Sequence, residues 1–126
     1  MSGYSLDANI LIDTLLEHDP ARREITRIAE SGARMWISRM AWIEVLSKGS
    51  DAVVRDAVMF LSRFGLDEID DEISHRAAAL RRDRPRLKSP DAIILATAQI
   101  RGRVLVTRNT KDFPAEMPGI RVPYIL

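Results

Sequence analysis

The chain reads as a three-layer α/β/α sandwich around a central parallel sheet of four to five strands, and three observations lead there. Short apolar runs bounded by polar breaks alternate with longer segments of helical periodicity. Strands separated by helices favour parallel pairing, with both faces of the sheet covered. At 126 residues, with no internal repeat, low-complexity stretch or dividing linker, the chain fits one domain spanning 1–126.

The first strand is "YSLD" at 4–7. It continues directly into the helix "ANILIDTLLE", where Ile10, Leu11 and Leu15 form an apolar stripe. After the "HDP" break, "ARREITRIAESG" at 21–32 reads as a helix stopped by Gly32. "RMWIS" is the second strand. "RMAWIEVLSKG" follows as a helix, with Ser38 as its cap and Gly49 as its end. "SDAVVRDAVMFLSRF" is the next helix and "GLDEI" the third strand. "DDEISHRAAALRRDR" is helical until Pro85 ends it. "SPDAIILATAQIRG" carries a Ser cap, a proline in the first turn and a terminal glycine. "RVLVTR" is the fourth strand, and "GIRVPYI" adds a fifth at an edge, where Pro123 is tolerated.

Composition excludes several chemistries. There is no cysteine, which removes disulfides, zinc–thiolate sites and iron–sulfur clusters. His18 and His75 lie far apart, which disfavours a histidine metal site. No secretory signal or bilayer-spanning apolar run is present, so the expected location is cytoplasmic, without a membrane partner. A net charge of +1 requires any nucleic-acid surface to be local. Neither a Ser–His–Asp set nor a phosphate-binding glycine loop occurs.

In open α/β folds, ligands bind where strand C-termini meet helix N-termini. Asp7 ends the first strand there, Asp91 lies in the first turn of the helix before the fourth, and Asn109 and Asp112 follow the fourth. Glu44 sits about one and a half turns into its helix, roughly 7 Å below the same edge. Each acid has a simpler explanation. Asp7 and Asp91 suit helix N-termini, and Asp112 suits a turn. Glu44 is the sole polar residue of "MAWIEVL", and a buried carboxylate there requires either a nearby Arg or Lys or a ligand.

Taken together, clustered carboxylates repel one another and take up protons unless a cation intervenes. Mg²⁺ or Mn²⁺ prefers oxygen ligands and is commonly held by few carboxylates plus water and substrate phosphate. Such a site suits phosphodiester cleavage.

The stretches "SLDANILID", "WIEVL", "SPDAIILATAQIRG" and "LVTRNTKDF", in this order, resemble the PIN-domain ribonucleases, specifically the VapC-type toxins of bacterial toxin–antitoxin pairs. The resemblance spans nearly the whole chain. It implies a Mg²⁺- or Mn²⁺-dependent endoribonuclease whose metal is held by Asp7 and Asp91, with Glu44 at the second acidic position and Asp112 at the fourth. Asn109 is a second candidate for that last position. Asn9 and Thr107 match polar positions beside the metal, where helix capping and strand-end bonding are their alternative roles. The resemblance also implies a homodimer and a cognate antitoxin that inserts a segment toward the acidic cleft and inhibits it.

The segment "HRAAALRRDRPRLK" at 75–88 runs into Asp91 and is strongly basic. Arg84, Arg86 and Lys88, with Arg108 beside the last acidic motif, are candidate contacts to RNA phosphates; a solvated charged face is the alternative. Trp36 and Trp42 have apolar neighbours and read as core or interface rather than base-stacking residues. Two other functions compete. A phosphoaspartyl phosphatase would use Asp7 as nucleophile but wants an acid at position 9, which is Asn. A non-catalytic PIN-fold module would bind RNA or protein without cutting.

Overall fold

The computed structural model describes residues 3–126. Five parallel strands form one sheet: β1 (Tyr4–Leu6), β2 (Met35–Ser38), β3 (Gly65–Asp67), β4 (Val104–Val106) and β5 (Ile120–Arg121). Their spatial order is β3-β2-β1-β4-β5, so the middle strand is the first in sequence. Register aligns Leu6 with Val106, Val106 with Arg121, and Ser38 with Asp67. These residues mark the C-terminal edge of the sheet.

Six helices connect the strands. They are α1 (Ala8–Leu15), α2 (Asp19–Glu30), α3 (Arg39–Val45), α4 (Asp51–Leu61), α5 (Asp71–Asp83) and α6 (Ser89–Arg101). With right-handed crossovers, this strand order puts α1–α4 on one face and α5–α6 on the other. The three-layer α/β/α arrangement with a parallel sheet therefore matches the reading from sequence, and β5 is indeed an edge strand.

The boundaries follow local chemistry. Ser38, Ser50 and Asp70 cap α3, α4 and α5 by accepting hydrogen bonds from backbone N–H groups three residues on. Gly102 ends α6 in the left-handed conformation, at φ 70°. One expected cap differs. Ser89 is the first residue of α6 rather than its cap, Lys88 occupies the cap position, and no side chain bonds there. The proline in the first turn supplies that boundary, because it removes one N–H that needs a partner.

The core runs through the centre of the sheet. Leu6, Ile10, Leu11, Ile28, Ile37, Ile73, Ile94, Leu105, Val106 and Phe113 are at most 1% exposed. Trp36 is half-buried over Gly65, where an added Cβ would fall 2.3 Å from the indole. The ring stacks against Arg103, whose guanidinium carbon is 3.9 Å from its centroid, so Trp36 belongs to packing as expected. Helix α3 departs from the all-round burial its sequence suggested. It lies at the border of its layer, Ala41 and Val45 face inward, and Ile43 remains 43% exposed. Among the described residues, no helix is long and apolar enough to cross a membrane.

Candidate active site

Asp7 sits at the junction of β1 and α1. Its N–H still donates to the Val106 carbonyl at 2.9 Å, while its extended backbone makes it the N-cap of α1. One carboxylate oxygen accepts from the Ala8 N–H at 2.7 Å. The other accepts from Thr107 Oγ1 at 2.7 Å and from Asn9 Nδ2 at 3.1 Å. Asp7 is buried, and that burial pushes its carboxyl above the usual range despite these hydrogen bonds and the nearby positive charge of Arg108.

Glu44 projects from the last turn of α3 and is half-buried. Burial raises its pKa first, and the charges of Asp7 and Asp91 raise it further. Asp91 is the third residue of α6, a place where the helix dipole favours a negative charge. Burial nevertheless pushes it up, joined by repulsion from Asp7 and Asp112, to about 6. Asp112 lies within hydrogen-bonding reach of Asp91. The charges of Asp7 and Asp91 thus reach Glu44, and those of Asp7 and Asp112 reach Asp91, at one edge.

The loop after β4 sets Asp112. Buried Phe113 anchors it, and the Phe113 N–H donates to the Asn109 carbonyl at 3.0 Å. Asn109 Nδ2 donates to Asp112 Oδ2 at 3.0 Å, and the Asp112 N–H donates to Asn109 Oδ1 at 3.2 Å. Asn109 therefore braces Asp112. Arg84, from the end of α5, donates to the Asp112 carbonyl and holds the loop from the opposite side. A depression of about 500 Å³ opens here, lined by Arg84, Pro85, Arg86, Leu87, Lys111 and Asp112. Arg86 and Lys88 are exposed on the same approach. Arg108 is engaged elsewhere: its guanidinium forms a two-point ion pair with Asp13, at 2.6 and 3.1 Å.

The charge balance is unusual. Among the described residues, no Arg or Lys forms a salt bridge with Asp7, Glu44, Asp91 or Asp112. The Arg or Lys partner considered for Glu44 is absent among those pairs. Among the described residues, no group of three or more acids or histidines is placed to hold a metal ion together. The arrangement is an open edge of oxygen donors. Such a donor set fits a hard divalent cation that keeps several water ligands and offers open positions, and does not fit one enclosed by protein alone. Asp7 and Asp91, with Glu44 and Asp112 beside them, are the residues that the sequence reading names for such an ion.

Two participants escaped sequence reasoning. Asp13 and Tyr124 join Arg108 in a network spanning more than a hundred residues: Tyr124 Oη donates to Asp13 Oδ2 at 2.7 Å. No local pattern reports such a pair, although an aspartate inside the apolar stretch "NILIDTLL" was an available signal.

Comparison with known proteins bears on the fold and the family. A PIN-domain family profile matches residues 4–115. A chain of a toxin–antitoxin complex from Klebsiella pneumoniae is 38% identical, with a TM-score of 0.84, covering 98% of this chain and 99% of that one. A chain from a DNA-bound VapBC complex of Salmonella typhimurium is 27% identical, with a TM-score of 0.76 and 96% of each chain covered. A chain of VapBC2 from Rickettsia felis, bound to a promoter DNA fragment, shares the fold at 22% identity and a TM-score of 0.77, covering 93% of this chain and 94% of that one. No curated protein sequence matches. The chain belongs to the PIN-domain family and is VapC-like within it.

Proposed function

We propose that this protein is a Mg²⁺- or Mn²⁺-dependent endoribonuclease that acts as the toxin of a toxin–antitoxin pair. One observation carries the reading: the charges of Asp7 and Asp91 act against that of Glu44 and that of Asp7 against Asp91, and among the described residues none of the three forms a salt bridge with an Arg or Lys. A fold bears such strain where function requires it.

Asp7 and Asp91 would hold the ion. Once bound, a divalent cation supplies the charge that keeps these acids ionised and stabilises charge building on a scissile phosphate. Asn9 and Thr107 orient Asp7 so that its carboxylate cannot rotate. Glu44, whose raised pKa brings it nearer neutrality, is suited to take a proton from an attacking water. Asp112 completes the acidic edge, with Asn109 and Arg84 fixing its loop. Arg86, Lys88 and Lys111 form the basic rim along which RNA phosphates would run, and Arg84 lines the same depression.

The antitoxin reading is supported by the Klebsiella relative and by apolar side chains left open on three helices. Leu15 and Leu16 at the end of α1, Ile43 on α3, and Val53 and Met59 on α4 are all exposed. A homodimer would draw on similar surface, and we propose it on the resemblance alone. The test is cleavage of RNA by purified protein with Mg²⁺ or Mn²⁺, stopped by a chelator and lost in Asp91→Asn. Retention of bound but uncut RNA under all these conditions would favour the binding-module alternative.

A further inference from the structure

Asp13 lies one turn beyond the cleft on α1 and is buried, yet it is ionised: although burial opposes the charge, Arg108 and Tyr124 hold its carboxyl below the usual range. Its two oxygens meet Arg108 Nε at 2.6 Å and Nη2 at 3.1 Å, and Tyr124 Oη shares the first of them at 2.7 Å. Three chain segments meet at this carboxylate. They are α1, the residue two places after β4, and the chain after β5.

The connection onward to Asp7 runs through Arg108's own backbone. Its N–H donates to Asn9 Oδ1 at 3.3 Å. That fixes which end of the Asn9 amide faces which way: Nδ2 must point to Asp7 Oδ2 and Thr107 Oγ1, at 3.1 and 3.3 Å. The Thr107 hydroxyl accepts from Asn9 and from the Asn109 N–H at 3.0 Å. Its single proton is then free for one partner, Asp7 Oδ2, at 2.7 Å. A shift of the 107–109 segment relative to α1 would break this arrangement at several bonds together. The main restraint against such a shift, outside the strand ladder, is the Arg108–Asp13 fork.

We infer that Asp13, Arg108 and Tyr124 form a positioning clamp that locks the segment after β4 onto α1 and so holds Asp7, through Asn9 and Thr107, in one orientation. The inference deepens the proposed function and, as far as catalysis is concerned, rests on it. It assigns Arg108 to positioning rather than to RNA, and it ties the chain end at Tyr124 to the active site. None of the three touches the reacting atoms.

The experiment compares Asp13→Asn, Arg108→Met, their double variant and the milder Tyr124→Phe with wild type. Arg101→Gln serves as a control ion-pair loss on α6, away from the clamp. Steady-state cleavage of a defined RNA with Mn²⁺ is measured together with hydrogen exchange of the Arg108 amide. The clamp predicts that kcat falls roughly tenfold or more for Asp13→Asn and Arg108→Met, with KM for RNA little changed. The double variant should lose no more than the worse single, because both remove one device. Tyr124→Phe should cost about threefold in kcat. Exchange of the amide at position 108 should accelerate in every clamp variant and not in Arg101→Gln. A lowered melting temperature with kcat intact would overturn the inference, as would a rise in KM relieved at low salt, which would return Arg108 to RNA. Should wild type cut no RNA, the catalytic reading fails by itself, and unchanged Arg108 exchange in Tyr124→Phe and Asp13→Asn would separately refute the clamp.

Discussion

Two sets of acids in this small chain stand in opposite circumstances. Asp13, Glu24 and Asp67 are buried and each faces arginine: Arg108 for the first, Arg27 and Arg121 for the second, Arg103 and Arg101 for the third. For Glu24 the cost of burial is overcome by Arg121 and Arg27, and its pKa falls to about 2. Asp7, Glu44 and Asp91 have no such partner; burial drives all three upward, and for Glu44 and Asp91 repulsion from neighbouring carboxylates adds to it. No arginine forms a salt bridge with the second set among the described residues. Its absence from salt bridges there supports the proposal that a cation from outside the chain serves this edge. The difference separates charge used to build the fold from charge kept available for chemistry.

The comparison is broken most sharply by substitution at the unpaired set. Asp7→Asn and Asp91→Asn should each reduce RNA cleavage by more than about a hundredfold, beyond what residues behind a metal ligand usually contribute. Asp91→Asn should not lower the metal-free melting temperature, since it removes a repulsive charge. Glu24→Ala should do the reverse. It leaves Arg27 and Arg121 facing each other without their acid and should destabilise the fold by about 2 kcal/mol, read from urea unfolding, with kcat unchanged.

A smaller effect distinguishes the sets by sign. Asp91 titrates at about 6 in the fold against an ordinary 3.8, so folding favours its protonated form. That contribution is complete below about pH 4 and is lost as pH rises through 6. Asp7 and Glu44 share the direction. Glu24, at about 2 against 4.5, contributes fully above pH 4.5 and loses its effect as pH falls through 2. The metal-free protein should therefore be more stable near pH 5 than near pH 7.5, by about 1 kcal/mol after allowance for screening. Saturating Mg²⁺ should flatten that slope, as should Asp91→Asn. A slope of the opposite sign in thermal melts would mean that the acids are paired in solution.

Much of this was legible in the sequence, for definite reasons. Alternating periodicities fix strand and helix order, and the parallel sheet then follows from connection length. Asp7, Asp91 and Asp112 could be placed because each abuts a strand end or a helix start, where a position in sequence translates directly into a position in space. Glu44 stood out because its neighbours are apolar. What could not be read are the fasteners. Glu24 meets Arg121 and Asp13 meets Tyr124 across about a hundred residues, and no periodicity encodes a partner at that distance. Arg108 illustrates the limit best: beside an acidic motif it reads as a phosphate contact, yet its guanidinium turns to an aspartate on α1.

The most direct test of the central claim is equilibrium Mn²⁺ binding by calorimetry at pH 7 to wild type, Asp7→Asn, Asp91→Asn and Glu24→Gln. Unpaired acids held for a cation predict binding by wild type and Glu24→Gln, with at least a tenfold loss in both aspartate variants. Equal affinity in all four proteins, or no binding by wild type, would contradict it.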